Sequence, residues 1–223
     1  ECQYGLVERP VNKNSRGDEA KFESCTHRFV RVADSSYAAA VINASTYGSD
    51  VSPIHEDAAR GVNRGTMIRL SLLSAPLYPD PHTDQGEHSF AWSVVADAGM
   101  DTVLAEASRL NAPVIDRLPA FAPLARVDAT EGSIVLDWVK LADDGSGDLI
   151  VRLYEPTGGM ARGSLHLDGA FAGATVEEVG VTEGADALPE DLPRALAVDG
   201  PQPAEGAALS LNPFQLATLR IRR

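Results

Sequence analysis

Apolar and polar residues alternate along most of this chain in short runs bounded by turn formers. The run from Ser89 to Val95 puts Phe90, Trp92 and Val94 on one face by the two-residue period of a strand. Similar runs, Tyr37 to Ile42, Met67 to Leu73 before Pro76, Ser133 to Val139, and Leu149 to Tyr154, also read as strands. So do Gly163 to Leu167, Thr175 to Val179, Ala207 to Leu211 and Gln215 to Ile221. The stretch Ala142 to Asp148 is rich in Asp and Gly, which tolerate positive φ, and predicts a hairpin turn. One segment departs from this pattern. Asp101 to Asn111 has apolar residues at 103, 104, 107 and 110, a helical spacing, with Asp101 placed to cap its start and Pro113 to stop it. Many short strands punctuated by 19 Gly and 14 Pro, with one short helix, predict a mainly β fold of the β-sandwich type. Between Asn111 and Asp128, Pro113, Pro119 and Pro123 interrupt any sustained period, which marks a linker or crossing between two β units. Leu188 to Pro193 reads as a loop, and the chain has no internal repeat.

Composition narrows the class. At 223 residues, 44% hydrophobic and 23% charged, the chain is ordinary globular material for one large or two modest domains. Its longest apolar stretches, such as Phe121 to Ala125, fall far short of the ~20 residues a membrane-spanning helix needs. A net charge of −13 repels phosphate backbones, and the nearest thing to a basic patch is Arg220 to Arg223, so nucleic acid is excluded as a partner. Cys2 and Cys25 are too few for a disulfide scaffold or a structural zinc site. With no charged-then-apolar leader in the sequence, these two cysteines imply a cytoplasmic protein. The first residue is Glu1, which fits a processed chain or a piece of a longer polypeptide.

Most candidate chemistry has a simpler explanation. His55, Glu56 and Asp57 are adjacent, so in an extended chain they point to opposite faces and do not share one ion. Asp143, Asp144 and Asp148 lack the spacing of a calcium loop and suit a tight turn. Asn43 to Ser45 matches the short glycosylation acceptor pattern. Cys25 and His27 fall on the same side of a strand, where a buried structural thiol is the usual outcome. Trp92 and Trp138 both sit within apolar strands and read as buried. There is no phosphate loop, nucleophile elbow or triad spacing. The richest segment is Pro76 to His88, which gathers Tyr78, Asp80, His82, Asp84, Glu87 and His88 in one loop between apolar strands. Such loops, held by a rigid sheet, often line sites. A carboxylate pair there would serve acid–base work or polar contact to a sugar, and a Pro-fixed surface loop uses the same residues.

Several stretches, taken in order, resemble the C-terminal region of glycoside hydrolase family 38 α-mannosidases of the bacterial and cytosolic branch. They are Glu1 to Pro10, Ala20 to Arg28, and Val41 to Gly48 with Thr46 where Lys is usual. The most specific block combines Ile68 to Leu73, Tyr78 to Pro81 and Asp84 to Phe90. Leu110 to Pro113, Trp138 to Lys140, Val151 to Glu155 and Asn212 to Gln215 extend the resemblance over nearly the whole chain.

The resemblance implies part of a retaining exo-α-mannosidase whose nucleophile and zinc ligands lie in an N-terminal catalytic domain. It assigns no catalytic residue, metal or cofactor to this chain, with zinc expected in the absent domain. Residues 1–124 are then part of a large, galactose-mutarotase-like β supersandwich, and residues 125–223 are a smaller C-terminal β domain. The implied partners are the catalytic domain and, through it, an α-mannoside, with self-association compatible. Tyr78, Asp80, Asp84, Glu87 and His88 become candidates for a substrate rim, although Ser74 stands where relatives often carry Arg. By itself this chain is expected to be inactive. The other function kept open is an independent carbohydrate-binding β-sandwich.

Overall fold

The computed structural model describes residues 1–44, 46–57, 59–112, 123–184, 188–189, 191–198 and 200–223, without the side chains of 55–57 and 62–64. These residues form fourteen strands in four sheets and two α-helices. By contacts the chain divides into two compact units: Glu1–Gln3 with Val7–Ile115, and Tyr4–Leu6 with Asp116–Arg223. Of the three linker prolines, Pro113 and Pro119 lie outside the described residues.

The first unit begins with α1 (Arg16–Ala20), a helix the apolar pattern does not announce. Its signal is polar: Ser15 caps it, with Oγ accepting from the Asp18 amide at 3.1 Å. Strands β1 (Ser24–Cys25), β4 (Gly48–Asp57) and β5 (Val62–Ser71) make one antiparallel sheet. The other sheet, in the order β2–β3–β6, is formed by β2 (Phe29–Ala33), β3 (Ala38–Asn43) and β6 (Trp92–Ala96). Helix α2 (Met100–Asn111) packs on that second sheet through Val103, Leu104 and Ala107, as its spacing predicts. Its N-cap is Gly99 rather than Asp101, which sits in the first turn, where a negative charge favours the helix dipole.

The second unit is a sandwich. Strands β7 (Ala125–Glu131), β10 (Ala161–Leu167) and β13 (Ala207–Leu211) form the sheet β13–β10–β7. Strands β8 (Val135–Leu141), β9 (Leu149–Tyr154), β11 (Thr175–Val179), β12 (Gln202–Pro203) and β14 (Leu216–Arg222) form the sheet β12–β11–β14–β9–β8. Alternate residues of both sheets share one core: Leu165, Leu209 and Leu211 from the first, with Leu153, Val176, Leu219 and Ile221 from the second. The β8–β9 hairpin turns through Ala142–Asp148, with Gly145 and Gly147 at positive φ (72° and 86°), as the Asp and Gly content predicts.

Part of the outer side of the five-stranded sheet is also buried, at Ile150, Tyr154, Thr218 and Arg220. Tyr154 meets the edge of Tyr4, with ring centroids 5.1 Å apart, and the Tyr4 hydroxyl donates to Asp137 at 2.9 Å. Arg220 is buried there and fixes the hairpin, donating to Asp148 (2.7 Å), Asp144 (2.6 Å) and the Ser146 Oγ (3.0 Å). The Ser146 and Arg220 hydrogen bonds hold the Asp144 carboxyl far below its usual range. An arginine therefore occupies the carboxylates that resemble a calcium loop.

Candidate functional site

The loop between β5 and β6 holds the candidate rim residues Tyr78, Asp80, Asp84, Glu87 and His88. Its backbone is set by prolines and by side chains that close short turns. The Asp80 Oδ1 accepts from the His82 amide at 2.9 Å, and the Thr83 hydroxyl donates to the Asp80 carbonyl at 2.8 Å. Asp84 takes a positive φ of 56°, and the Tyr78–Pro79 peptide is cis. The His88 Nε2 lies 2.8 Å from the Asp84 carbonyl oxygen, and its ring stacks on Phe90 with centroids 6.1 Å apart. Asp84 and His88 are thus brought together, whereas Asp80 is engaged with its own turn.

All five candidates are exposed, and Tyr78 reaches 87%. Their side chains make a polar, solvent-exposed stretch of the loop. Among the described residues no group of three His, Cys, Asp or Glu side chains is arranged to hold a metal ion. The loop supplies acceptors and donors of the kind that bind sugar hydroxyls, and no coordination set for zinc.

The remaining candidates separate. Asn43 is fully buried and its Oδ1 accepts from the Thr46 amide at 3.2 Å, so it is not presented as a glycan acceptor; Ser45 lies outside the described residues. The side chains of His55, Glu56 and Asp57 also lie outside them. Cys25 is exposed, not a buried structural thiol, and both cysteines are free. Trp92 and Trp138 are 55% and 58% exposed, against the burial expected of them. Both lie on outer strands of their sheets, where an apolar run no longer guarantees a cover.

One cluster escapes the sequence reading. On β10, Ser164 and His166 are two apart and so share a face, with Ser164 Oγ 3.0 Å from His166 Nε2. The His166 Nδ1 sits 2.8 Å from Glu205, whose other oxygen accepts from the Leu167 amide at 2.8 Å. The Asp128 Oδ2 lies 3.4 Å from the same Nε2, in competition with the serine. The Leu167 amide and His166 hold the Glu205 carboxyl below its usual range, and Arg126 does the same for Asp128. An imidazole between two ionised carboxylates on an open sheet face serves as a clasp between β10 and the turn before β13. The Ser164–His166 spacing was visible in sequence, but nothing in sequence linked it to Glu205.

The comparisons with known proteins agree with this architecture. Residues 1–82 match the glycosyl hydrolases family 38 C-terminal domain, and residues 133–219 match the glycosyl hydrolases family 38 C-terminal beta sandwich domain. The chain belongs to glycosyl hydrolase family 38, as its C-terminal region. It is 32% identical over 180 residues to alpha-mannosidase 2C1 of Homo sapiens, a match covering 75% of this chain and 16% of that protein. It is 28% identical over 187 residues to an alpha-mannosidase of Saccharomyces cerevisiae, covering 74% of this chain and again 16% of the relative. The chain therefore spans about a sixth of these relatives' length. In fold it resembles an alpha-mannosidase from Enterococcus faecalis V583, with a TM-score of 0.55 and 19% identity over 97% of this chain and 23% of that one.

Proposed function

We propose that this chain is the noncatalytic C-terminal β region of a retaining exo-α-mannosidase acting on terminal α-mannosides in the cytoplasm. In this reading residues 1–124 belong to a large β-sandwich and residues 125–223 are a smaller C-terminal domain. Both pack as a scaffold for an N-terminal catalytic domain that carries the nucleophile and holds zinc, while Tyr78, Asp80, Asp84, Glu87 and His88 stand at the rim of the sugar pocket. The observation that carries the reading is that both halves of the chain match C-terminal models of one glycosidase family. The free thiols of Cys2 and Cys25 support a reducing compartment.

The test uses the full-length protein and an aryl α-mannoside. Replacing Glu87 and His88 together by Ala is expected to lower kcat/KM by about tenfold, the loss of one or two sugar hydrogen bonds. An unchanged kcat/KM removes the rim role, and hydrolysis by residues 1–223 alone overturns the noncatalytic reading.

The exposure of Trp138 favours a second reading, an independent carbohydrate-binding sandwich, because sugars stack on exposed indole faces. Millimolar or tighter mannose binding by residues 1–223, lost in Trp138→Ala, would select it.

A further inference from the structure

The clasp on β10 has the connectivity of a nucleophile with its base. Glu205 is ionised and only accepts, so the His166 Nδ1, 2.8 Å away, carries the proton of the neutral ring. The Nε2 is then a bare acceptor, and the 3.0 Å contact with Ser164 has the hydroxyl donating into the ring. The ring is oriented from behind, because the second Glu205 oxygen accepts from the Leu167 amide at 2.8 Å and holds the carboxylate against the imidazole. A clasp alone does not explain the serine. Ser164 lies on the same strand as His166, so their hydrogen bond joins no two elements.

The surroundings leave the hydroxyl within reach. Ser164 and His166 are half-buried on the outer face of the sheet β13–β10–β7, opposite the buried Leu165. The ladder sets Ser164 beside Ala208, which is small and exposed, and keeps both side chains in a fixed register. On its other side stands Asp128, whose Oδ2 is 3.4 Å from the His166 Nε2. An imidazolium formed by taking the serine proton would lie between two carboxylates, so its charge is balanced where it forms. Arg126, paired across the ladder with His166, donates to Asp128 and brings a guanidinium with further N–H donors to the same face.

We propose that Ser164 is a nucleophile for acyl transfer, with His166 as its general base and Glu205 as the orienting carboxylate, and that it hydrolyses small activated carboxylic esters. Ser164 Oγ attacks the ester carbonyl carbon as its proton passes to the His166 Nε2. The carbonyl electron pair moves onto oxygen beside Arg126, then returns to expel the leaving oxygen, which takes the proton from Nε2. Water attacks the acyl-serine, gives a proton to the same nitrogen, and the carboxylic acid departs as Ser164 regains its hydrogen. The face is open and does not exclude water, which restricts the substrate to a small acyl group on a good leaving group, such as an aryl acetate. None of the rim residues takes part, so this activity is independent of the mannosidase reading.

A fluorophosphonate reports such a serine directly, because it reacts where a base activates the hydroxyl. In the full-length protein the label is expected on Ser164, located by peptide mass, with the other serines of residues 1–223 modified at least about a hundredfold more slowly. His166→Asn is expected to slow labelling of Ser164 about a hundredfold, and Glu205→Gln about tenfold. Hydrolysis of p-nitrophenyl acetate should fall with Ser164→Ala and His166→Asn, while the circular dichroism of each variant stays that of the wild type. Labelling of the unaltered protein decides the question even where a variant fails to fold. Absence of phosphonylated Ser164 under excess reagent overturns the proposal. So does a Ser164 rate that is the same in His166→Asn, which would leave the serine with ordinary surface reactivity.

Discussion

The two units use the same strand pattern to different ends. In the second unit the apolar faces of a three-stranded and a five-stranded sheet meet each other, and Leu153, Leu165, Leu211 and Leu219 are all at or near zero exposure. Among the described residues the first unit buries large apolar side chains only around the sheet β2–β3–β6 and α2, which lies on β3 and β6: Phe29, Ile42, Val103 and Leu104, with alanines filling the rest. Its β4–β5 hairpin carries no buried apolar side chain among the described residues, and the outer face of β6 is bare. A period of two states that a strand has two faces. Whether each face finds a partner depends on which other elements the polypeptide supplies.

Substitutions test this contrast most strongly in the closed core. Leu219→Ala should destabilise the second unit by about 3 kcal/mol, since it removes a fully buried side chain and leaves a cavity. A loss in denaturant midpoint equivalent to less than about 1 kcal/mol would show that the sandwich is not closed as described. Glu155 is next. It is buried, and its carboxylate accepts from the amides of Thr157 (2.8 Å), Gly158 (2.6 Å) and Phe214 (3.0 Å) and from the Thr157 hydroxyl. Glu155→Ala strands those donors and should cost about 2 kcal/mol.

The same carboxylate gives the contrast a pH dependence. Burial pushes the Glu155 carboxyl up, but the donors of Thr157, Phe214 and Gly158 together outweigh it and the net shift is downward. A depressed folded-state value means that its stabilisation is complete above the unfolded value of about 4.3 and fades as pH falls toward the folded one. Acid melts of Glu155→Gln should therefore lose part of the wild-type slope below about pH 4; an unchanged slope would assign the acid sensitivity to other groups.

Smaller still is Gly163→Ala. A Cβ there would lie 2.5 Å from the Asp128 carbonyl oxygen on β7, so β10 and β7 would have to part, at a cost of about 1–2 kcal/mol in thermal unfolding. At the bottom of the scale, Val94→Ser in residues 1–223 should change stability by less than about 0.5 kcal/mol, because the side chain is already solvated. A loss as large as that of Leu219→Ala would abolish the contrast between the units.

Much of this was legible in the residues. The β8–β9 hairpin, β11, β13 and β14 follow from alternation and turn chemistry, and α2 from its apolar spacing. The family resemblance, carried by blocks such as Val41 to Gly48 and Val151 to Glu155, matches the family models found over residues 1–82 and 133–219. Other elements were hidden for identifiable reasons. Strand β4 is polar over most of its length and pairs along β5 as a long hairpin, so backbone hydrogen bonds define it rather than an apolar face. Helix α1 is five residues with no buried side chain and announces itself only by its Ser15 cap. The rim candidates could be gathered from the sequence, but the pairing of Asp84 with His88 depends on loop closure, which composition does not encode.

What the sequence determined by itself is the class: a mainly β chain with turns where Gly, Pro and Asp require them, and a helix where the spacing changes. These are local consequences of backbone sterics and side-chain periodicity. Only the tertiary structure decided that Arg220 fills the acidic hairpin, that Ser164, His166 and Glu205 meet, and that Trp92 and Trp138 stand in solvent. Burial and contact arise between residues far apart in the chain, and an apolar residue in a strand is covered only if another layer arrives to cover it.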